Sequence, residues 1–177
     1  MTDTNMVQES IKAHVQFLEG EIAKTQQFIQ EHFNQFPELK SQRDLLTSIP
    51  GVGDQTAASI LAEIGSIDTF ESARQLAAYS GLTPRERTSG TSVRGKTSLS
   101  RIGNSRVRKA LFMPALTATQ YNPILHDLWE RLLKRGKTKM VALGAVMRKL
   151  LHLVFGVFKS RKTFDPNYGK QFPPLAD

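Results

Sequence analysis

The 177-residue sequence contains no cysteine. Disulfides and thiolate metal sites are therefore excluded, and a reducing, cytoplasmic setting suits the chain. Aromatic residues are scarce at 8%, with a single tryptophan, Trp129. No uninterrupted apolar run reaches the roughly 18 residues of a membrane span, and no signal-peptide pattern follows Met1. No membrane partner is expected. Acid is the other scarcity, and it is local. Residues 85–177 hold five Asp/Glu against nineteen Lys/Arg, whereas residues 1–84 hold eleven against five. Residues 85–109 carry eight basic residues and one acid, Glu86, and residues 131–162 carry ten basic residues and no acid. Such asymmetry, within a net charge of +8, is the electrostatic footprint of a polyanionic partner. The remaining composition, 40% hydrophobic and 23% charged, is that of an ordinary globular protein.

The pattern along the chain predicts a mainly all-α protein in three parts. Residues 1–40 form a helical arm in which Ile11, Val15, Leu18, Ile22, Thr25 and Ile29 alternate steps of four and three. That spacing is a short heptad seam, suited to a coiled-coil homodimer or to folding back on the chain. Residues 41–160 form the main helical domain, and residues 161–177 form a Pro-rich extended or disordered tail. Within the main domain, Ala57, Ile60, Leu61 and Ile64 share one face of a helix over 54–64, with Gly65 as its stop. A third helix follows, with Asp68 as its cap and Glu71 completing a capping box. Further helices are predicted over 104–120, 123–136 and 138–159. The last offers Val141, Leu143, Val146, Leu150, Leu151, Val154 and Phe158 to the core.

Two stretches carry chemistry. "SIPGVGDQTAASILAEIG", residues 48–65, places Pro-Gly-Val-Gly between two helices. Glycine tolerates positive φ and brings no side chain. The N–H groups of Gly51, Val52 and Gly53 are then expected to face outward at a helix N-terminus that favours negative charge, with Thr56 one turn on. A turn of this kind cradles a phosphate without reading base identity. The plain alternative is a structural αα-corner. The stretch resembles a helix-hairpin-helix element, near 43–65, of the kind that grips DNA backbone nonspecifically.

The second stretch, residues 83–103, "TPRERTSGTSVRGKTSLSRIG", has almost no apolar residues and reads as an exposed loop or irregular hairpin. Arg85, Arg87, Arg94, Lys96 and Arg101 surround Ser89, Ser92, Ser98 and Ser100 there. Arginine forks match phosphate oxygens. A serine among them either hydrogen-bonds or attacks a phosphodiester, and on residue chemistry alone the first reading is favoured. Arg106 and Arg108 extend the basic segment toward the next helix.

Four motifs in order, "LLTSIPGVGDQTAASILAEIG", "FESARQLAAYSGLTPRERTSG", "RIGNSRVRKALFMPAL" and "RGKTKMVALGAVMRKLLHLVFGV", resemble the C-terminal domain of the insertion-sequence "one-ten" group. These are DEDD transposases, described as bridge-RNA-guided recombinases, and the resemblance covers about residues 43–158. It implies a transposase or DNA recombinase of a mobile element, associated with DNA. It further implies a dimer or higher assembly through a coiled coil matching residues 8–36, and a guide RNA as a possible second nucleic-acid partner. The family's nucleophile is the serine of a Ser-Gly pair in this loop, forming a 5′-phosphoserine link. The matching position is Ser89, followed by Gly90, and Ser92 is the second candidate. Arg85, Arg87 and Arg94 become phosphate clamps by neighbourhood.

The family's nuclease-like half, whose four acids hold Mg²⁺ beside a partner's serine, has no counterpart in this sequence. The expectation is a chain that binds DNA but does not complete strand cleavage alone, as a domain or truncated product. The alternative function is a non-catalytic nucleic-acid-binding module. No cofactor and no metal site are expected within the chain itself: Asp127 and Glu130 are read as solvent-facing or paired with Arg131 and Lys134. His14, His32, His126 and His152 show no ligand spacing. Trp129 and the phenylalanines are assigned to the core, with Tyr121 or Trp129 available for base stacking.

Overall fold

A computed structural model describes residues 2–85, 88–89, 93–94, 98–100 and 102–167. The chain divides into two units, Met1–Ser41 and Gln42–Asp177. The first is built on α1 (Thr2–Gln35), a single long helix. Along it Ile11, Val15, Leu18, Ile22 and Ile29 are all exposed, so the heptad seam lies open in the isolated chain. Phe17 and Phe28 are exposed as well, which corrects the assignment of the phenylalanines to the core. Phe36 follows α1 and precedes α2 (Pro37–Thr47), a helix that opens on proline because the first turn needs no N–H donor there.

Among its described residues the second unit consists of helices, their connecting turns and four two-residue strands. α3 (Asp54–Ile64) buries Ala57, Ile60, Leu61 and Ile64, the face given by their spacing. Gly65 ends it at φ 63°, returning its N–H to Leu61 O at 3.1 Å. A 3-10 turn, Ile67–Thr69, leads to α4 (Ala73–Tyr79). Asp68 does not cap this helix. Ser72 does, accepting from Gln75 N–H at 3.3 Å while Gln75 Oε1 accepts Glu71 N–H at 2.7 Å. The cap is thus a variant of the capping box on Ser72 and Gln75, with Gln75 reaching the N–H of Glu71, one residue before the cap. Asp68 instead takes Lys159 Nζ at 2.8 Å, a partner 91 residues away.

The helix expected over 104–120 is two. α5 (Ser105–Ala110) and α6 (Phe112–Tyr121) break at Leu111, ahead of Pro114, which lacks an N–H and falls in the first turn of α6. α7 (Pro123–Lys134) is capped by Asn122, whose Oδ1 accepts from Ile124 and Leu125 N–H. α8 (Lys139–Ser160) is the central core helix. By length and composition it could cross a membrane. Here its apolar face, Leu143, Val146, Leu150, Leu151, Val154 and Phe158, is buried among α4, α6 and α7. Val141 is 55% exposed, contrary to its assignment to the core: it lies in the first turn, before the buried face begins. Trp129 is half-buried and Tyr121 is exposed. The tail is described only to Asn167, so its remaining ten residues, 168–177, lie outside the described residues.

Candidate nucleic-acid interface

The α2–α3 hairpin is locked from inside. Ile49 and Val52 are buried, and Val52 N–H donates to Ile49 O at 2.9 Å. Val52 therefore contributes packing, and its N–H does not face outward as the sequence suggested. Positive φ falls on Gly51 alone, at 101°, whereas Gly53 is extended at φ −97°. The two glycines do different work. A Cβ on Gly51 would lie 2.7 Å from Ala118 Cβ and 2.9 Å from Pro114 O, so this glycine lets the turn close against α6. Asn122 Nδ2 fastens the same turn through Pro50 O at 3.5 Å. Ser48 Oγ donates to Leu45 O at 2.6 Å and accepts Phe164 N–H at 2.9 Å.

Gly53 faces the other way. It is exposed, and a Cβ there would meet nothing within 4 Å. No side chain caps α3, and its first backbone bond runs from Ala57 N–H to Gly53 O at 2.9 Å. The preceding N–H groups, up to that of Thr56, have no acceptor among the described residues, as befits an open helix N-terminus. Thr56 itself is half-buried. The opening is not uniformly positive. Asp54 occupies the first turn and is met by Arg43 Nε at 3.8 Å, and the same guanidinium holds Asp44 at 2.8 Å.

The Ser/Arg segment is anchored at its base. Pro84 and Arg85 form β1 (Pro84–Arg85), antiparallel to β4 (Ser98–Leu99), and Ser100 N–H donates to Thr83 O at 2.9 Å. Leu99 packs on Gly144 of α8, where a Cβ would come within 3.0 Å of Leu99 Cδ1. Further out, β2 (Thr88–Ser89) pairs with β3 (Val93–Arg94), setting Ser89 opposite Val93 and Thr88 opposite Arg94. Arg85 is exposed. The side chains of Ser89 and Arg94, and residues Arg87, Ser92, Lys96 and Arg101 altogether, lie outside the described residues.

The segment returns to the core through a polar cluster that sequence reasoning missed. Asn104 Oδ1 caps α5, accepting Arg106 N–H at 2.9 Å and Val107 N–H at 3.2 Å. Its amide nitrogen donates to Glu63 Oε2 at 3.0 Å and to the Tyr79 hydroxyl at 3.1 Å. The Tyr79 hydroxyl in turn donates to Glu63 O at 3.3 Å. Arg106 joins through Nη1 to Glu63 Oε1 at 3.3 Å, while its side chain stays 81% exposed. Arg108 is committed differently, donating to Ser80 O at 3.1 Å, where it serves the C-terminus of α4. The Asn104 hydrogen bond, with help from Arg106, holds the Glu63 carboxyl below the usual carboxylate range against a smaller opposing effect of burial. The Asn104 cap was readable in "GNSRV"; Glu63 had no local signal, since its partners lie 41 and 43 residues away.

Among the described residues no three His, Cys, Asp or Glu side chains converge on a common point to hold a metal ion. His126 Nδ1 lies 2.7 Å from Thr119 O. Asp127 and Glu130 line a shallow cleft with Arg131, Lys134 and Arg135, with no ion pair among them within 4.0 Å.

Comparison with known proteins agrees with the motif order. Residues 43–130 match the family described as Transposase IS116/IS110/IS902. The chain is 39% identical over 131 residues to a pilin gene-inverting protein of Moraxella bovis, spanning 73% of this chain and 40% of that protein. It is 33% identical to an uncharacterized 43.6 kDa protein of insertion element IS110 from Streptomyces coelicolor, covering 74% and 32% respectively. It is 31% identical to the transposase of insertion sequence element IS1111A from Coxiella burnetii, covering 66% and 33%. The chain thus spans two fifths or less of the length of these relatives.

Proposed function

Starting from residues 43–130, which belong to the IS116/IS110/IS902 transposase family, we propose that this chain is the nucleic-acid-gripping, serine-bearing part of a DNA recombinase. The observation that carries the grip is the asymmetry of the Pro50–Gly53 turn. Gly51 is consumed by packing on α6, while Gly53 and the first turn of α3 present uncapped N–H groups on an open surface. A phosphodiester oxygen satisfies such groups and the positive end of the helix together. Because the contacts are main-chain to phosphate, they position a duplex without reading its sequence. The long-range attraction comes from the basic residues after position 84.

Ser89 is the nucleophile in this reading. Its Oγ gives up a proton and forms an O–P bond to the target phosphorus. The 3′-oxygen leaves and takes up a proton, giving a 5′-phosphoserine and a free 3′-hydroxyl. Arg85, with Arg87 and Arg94, would stabilise the charge that develops on the phosphoryl oxygens. α1 serves as the self-association element: its open row of Ile11, Val15, Leu18, Ile22 and Ile29 matches a heptad seam, and a second copy covers it.

The test has two stages. Titrating a four-way junction, a linear duplex and a structured RNA at several salt concentrations should give steeply salt-dependent DNA binding. Absence of binding to all three would refute the grip, and preference for the RNA would make guide RNA the partner of this face. The chain is then mixed with Mg²⁺, a cleavable junction and an acidic nuclease-like domain in trans. A denaturation-resistant DNA adduct that disappears in Ser89→Ala supports the nucleophile. An adduct that persists in Ser89→Ala and disappears in Ser92→Ala moves the role to Ser92. No adduct, where an intact relative forms one, leaves a binding module without catalysis.

A further inference from the structure

The hairpin and the serine segment are far apart in sequence, and one carboxylate joins them. Glu63 sits at the end of α3, the helix that begins at the Gly53 opening. Its two oxygens reach across to the exit of the serine segment, Oε2 to Asn104 Nδ2 and Oε1 to Arg106 Nη1. The entrance side of the same segment meets the exit just beside this point. Asn104 N–H donates to Tyr79 O at 2.6 Å, and Gly103, at φ 129°, is so close to Tyr79 O that any side chain there would overlap it. Tyr79 is held in place by its hydroxyl on Glu63 O and by its ring edge-on to Phe70 at 5.3 Å.

The choice of asparagine at position 104 is informative. Capping α5 requires only a side-chain oxygen, which aspartate or serine supplies equally well. Only an amide caps with its oxygen and donates with its nitrogen. Aspartate at this site would keep the cap but set a second carboxylate against Glu63. Asparagine thus serves the helix start and the cross-link together.

We propose that Glu63 is a positioning residue: through Asn104 and Arg106 it ties the base of the 83–103 segment to the helix of the Pro50–Gly53 hairpin, so that nucleic acid seated on the turn also reaches that base and the Arg106 guanidinium beside it. The proposal rests on the reading of that turn as a phosphate-backbone site. It assigns Arg106 a double duty. The exposed guanidinium is oriented by Glu63 and keeps its remaining donors for a phosphate.

The experiment is amide hydrogen exchange on the full chain, with and without a linear DNA duplex, reading peptides over 48–57 and 83–104. In the wild type the duplex slows exchange in both. In Glu63→Ala and Asn104→Asp the duplex still slows 48–57 by the wild-type factor, while its effect on 83–104 falls at least tenfold. Duplex affinity changes less than threefold. Asn104→Asp retains the α5 cap and so stays folded if Glu63→Ala does not. Glu63→Gln, which still accepts from Asn104, restores most of the coupling, a rescue that a purely supporting role does not require.

Protection of both peptides in the variants as in the wild type would overturn the positioning role alone. So would faster exchange spread over the whole second unit, because Glu63 would then be ordinary fold support. Protection of 48–57 without 83–104 in the wild type would also overturn it. A duplex that protects neither peptide in the wild type would refute the hairpin grip, and this inference with it.

Discussion

Replacing the two hairpin glycines separately should move stability in opposite directions. Gly51→Ala places a Cβ at positive φ and against Ala118 and Pro114, at 2.7 and 2.9 Å. Forcing an L-residue into that backbone region costs about 1–2 kcal/mol, and overpacking a closed contact costs about 1–3 kcal/mol more. A loss of roughly 2–5 kcal/mol is expected, a large share of the roughly 5–15 kcal/mol stability of an ordinary domain. Gly53→Ser meets none of this. Position 53 has extended backbone and open space, and α3 has no side-chain cap. Serine is a good N-cap, whereas glycine merely tolerates the position, so the gain is a few tenths of a kcal/mol. For a chain of this size that raises Tm by about 1 °C. Yet the new Oγ would bond an N–H that the reading reserves for phosphate, and its bulk would stand in the opening. Duplex affinity should therefore fall about tenfold as the fold becomes more stable. Urea denaturation and a fluorescence titration at two salt concentrations measure the pair. Gly53→Ser binding as tightly as the wild type, with its stability raised, would refute the cradle.

Two further outcomes follow from packing and charge. Leu150 is fully buried at the centre of α8, so Leu150→Ala should destabilise by about 2–5 kcal/mol in chemical denaturation. His152 is partly buried, its Nε2 finds no partner among the described residues, and burial, then Arg148, Lys149 and Arg74, push its pKa below the ordinary value. The unfolded chain then binds the proton more readily than the fold does. Stability is full above the ordinary histidine pKa of about 6.5 and declines as pH falls through it toward the lowered native value. Denaturant midpoints between pH 8 and 5 should show that decline, and His152→Leu should flatten it.

Local signals in the sequence specified what local physics decides. The apolar face of α3 and its Gly65 stop are set within one helix, and both stand as read. The caps show the limit. Asp68 with Glu71 and Ser72 with Gln75 satisfy the same capping pattern; the winner depends on Lys159 claiming Asp68 from the far end of the chain. Val141 fits the helical period but lies a turn outside the packed region, which only neighbouring helices define. The Pro-Gly-Val-Gly turn was visible as a turn. Its division into an inward glycine and an outward one depends on Ala118 and Pro114, more than sixty positions downstream. Of the site, the serine and arginines were readable as residue types. The Glu63–Asn104–Tyr79 cluster was not: the Asn104 cap had a local signal, but Glu63 and Tyr79 acquire meaning only from partners far along the chain.

The charge at the hairpin opening sharpens the functional reading. Phosphate attraction would be strongest if the first turn of α3 carried no acid, yet Asp54 stands there with its side chain 60% exposed. An acid at this position stabilises the helix itself, by about 0.3–1 kcal/mol through the helix dipole. The same dipole is what a phosphate would use, so the carboxylate and the ligand compete for one field. Arg43 answers part of this by spanning Asp44 and Asp54, one guanidinium shared between two carboxylates. Asp54→Asn should therefore lower stability slightly while tightening duplex binding about two- to fivefold at low salt, the equivalent of the same 0.3–1 kcal/mol. The gain should shrink at 0.5 M salt, where exposed charges are screened within a few ångströms. Parallel titrations of the wild type and Asp54→Asn decide the matter. Unchanged or weaker binding at low salt would mean that phosphate does not approach this helix end, and that the basic face after residue 84 holds nucleic acid without the hairpin.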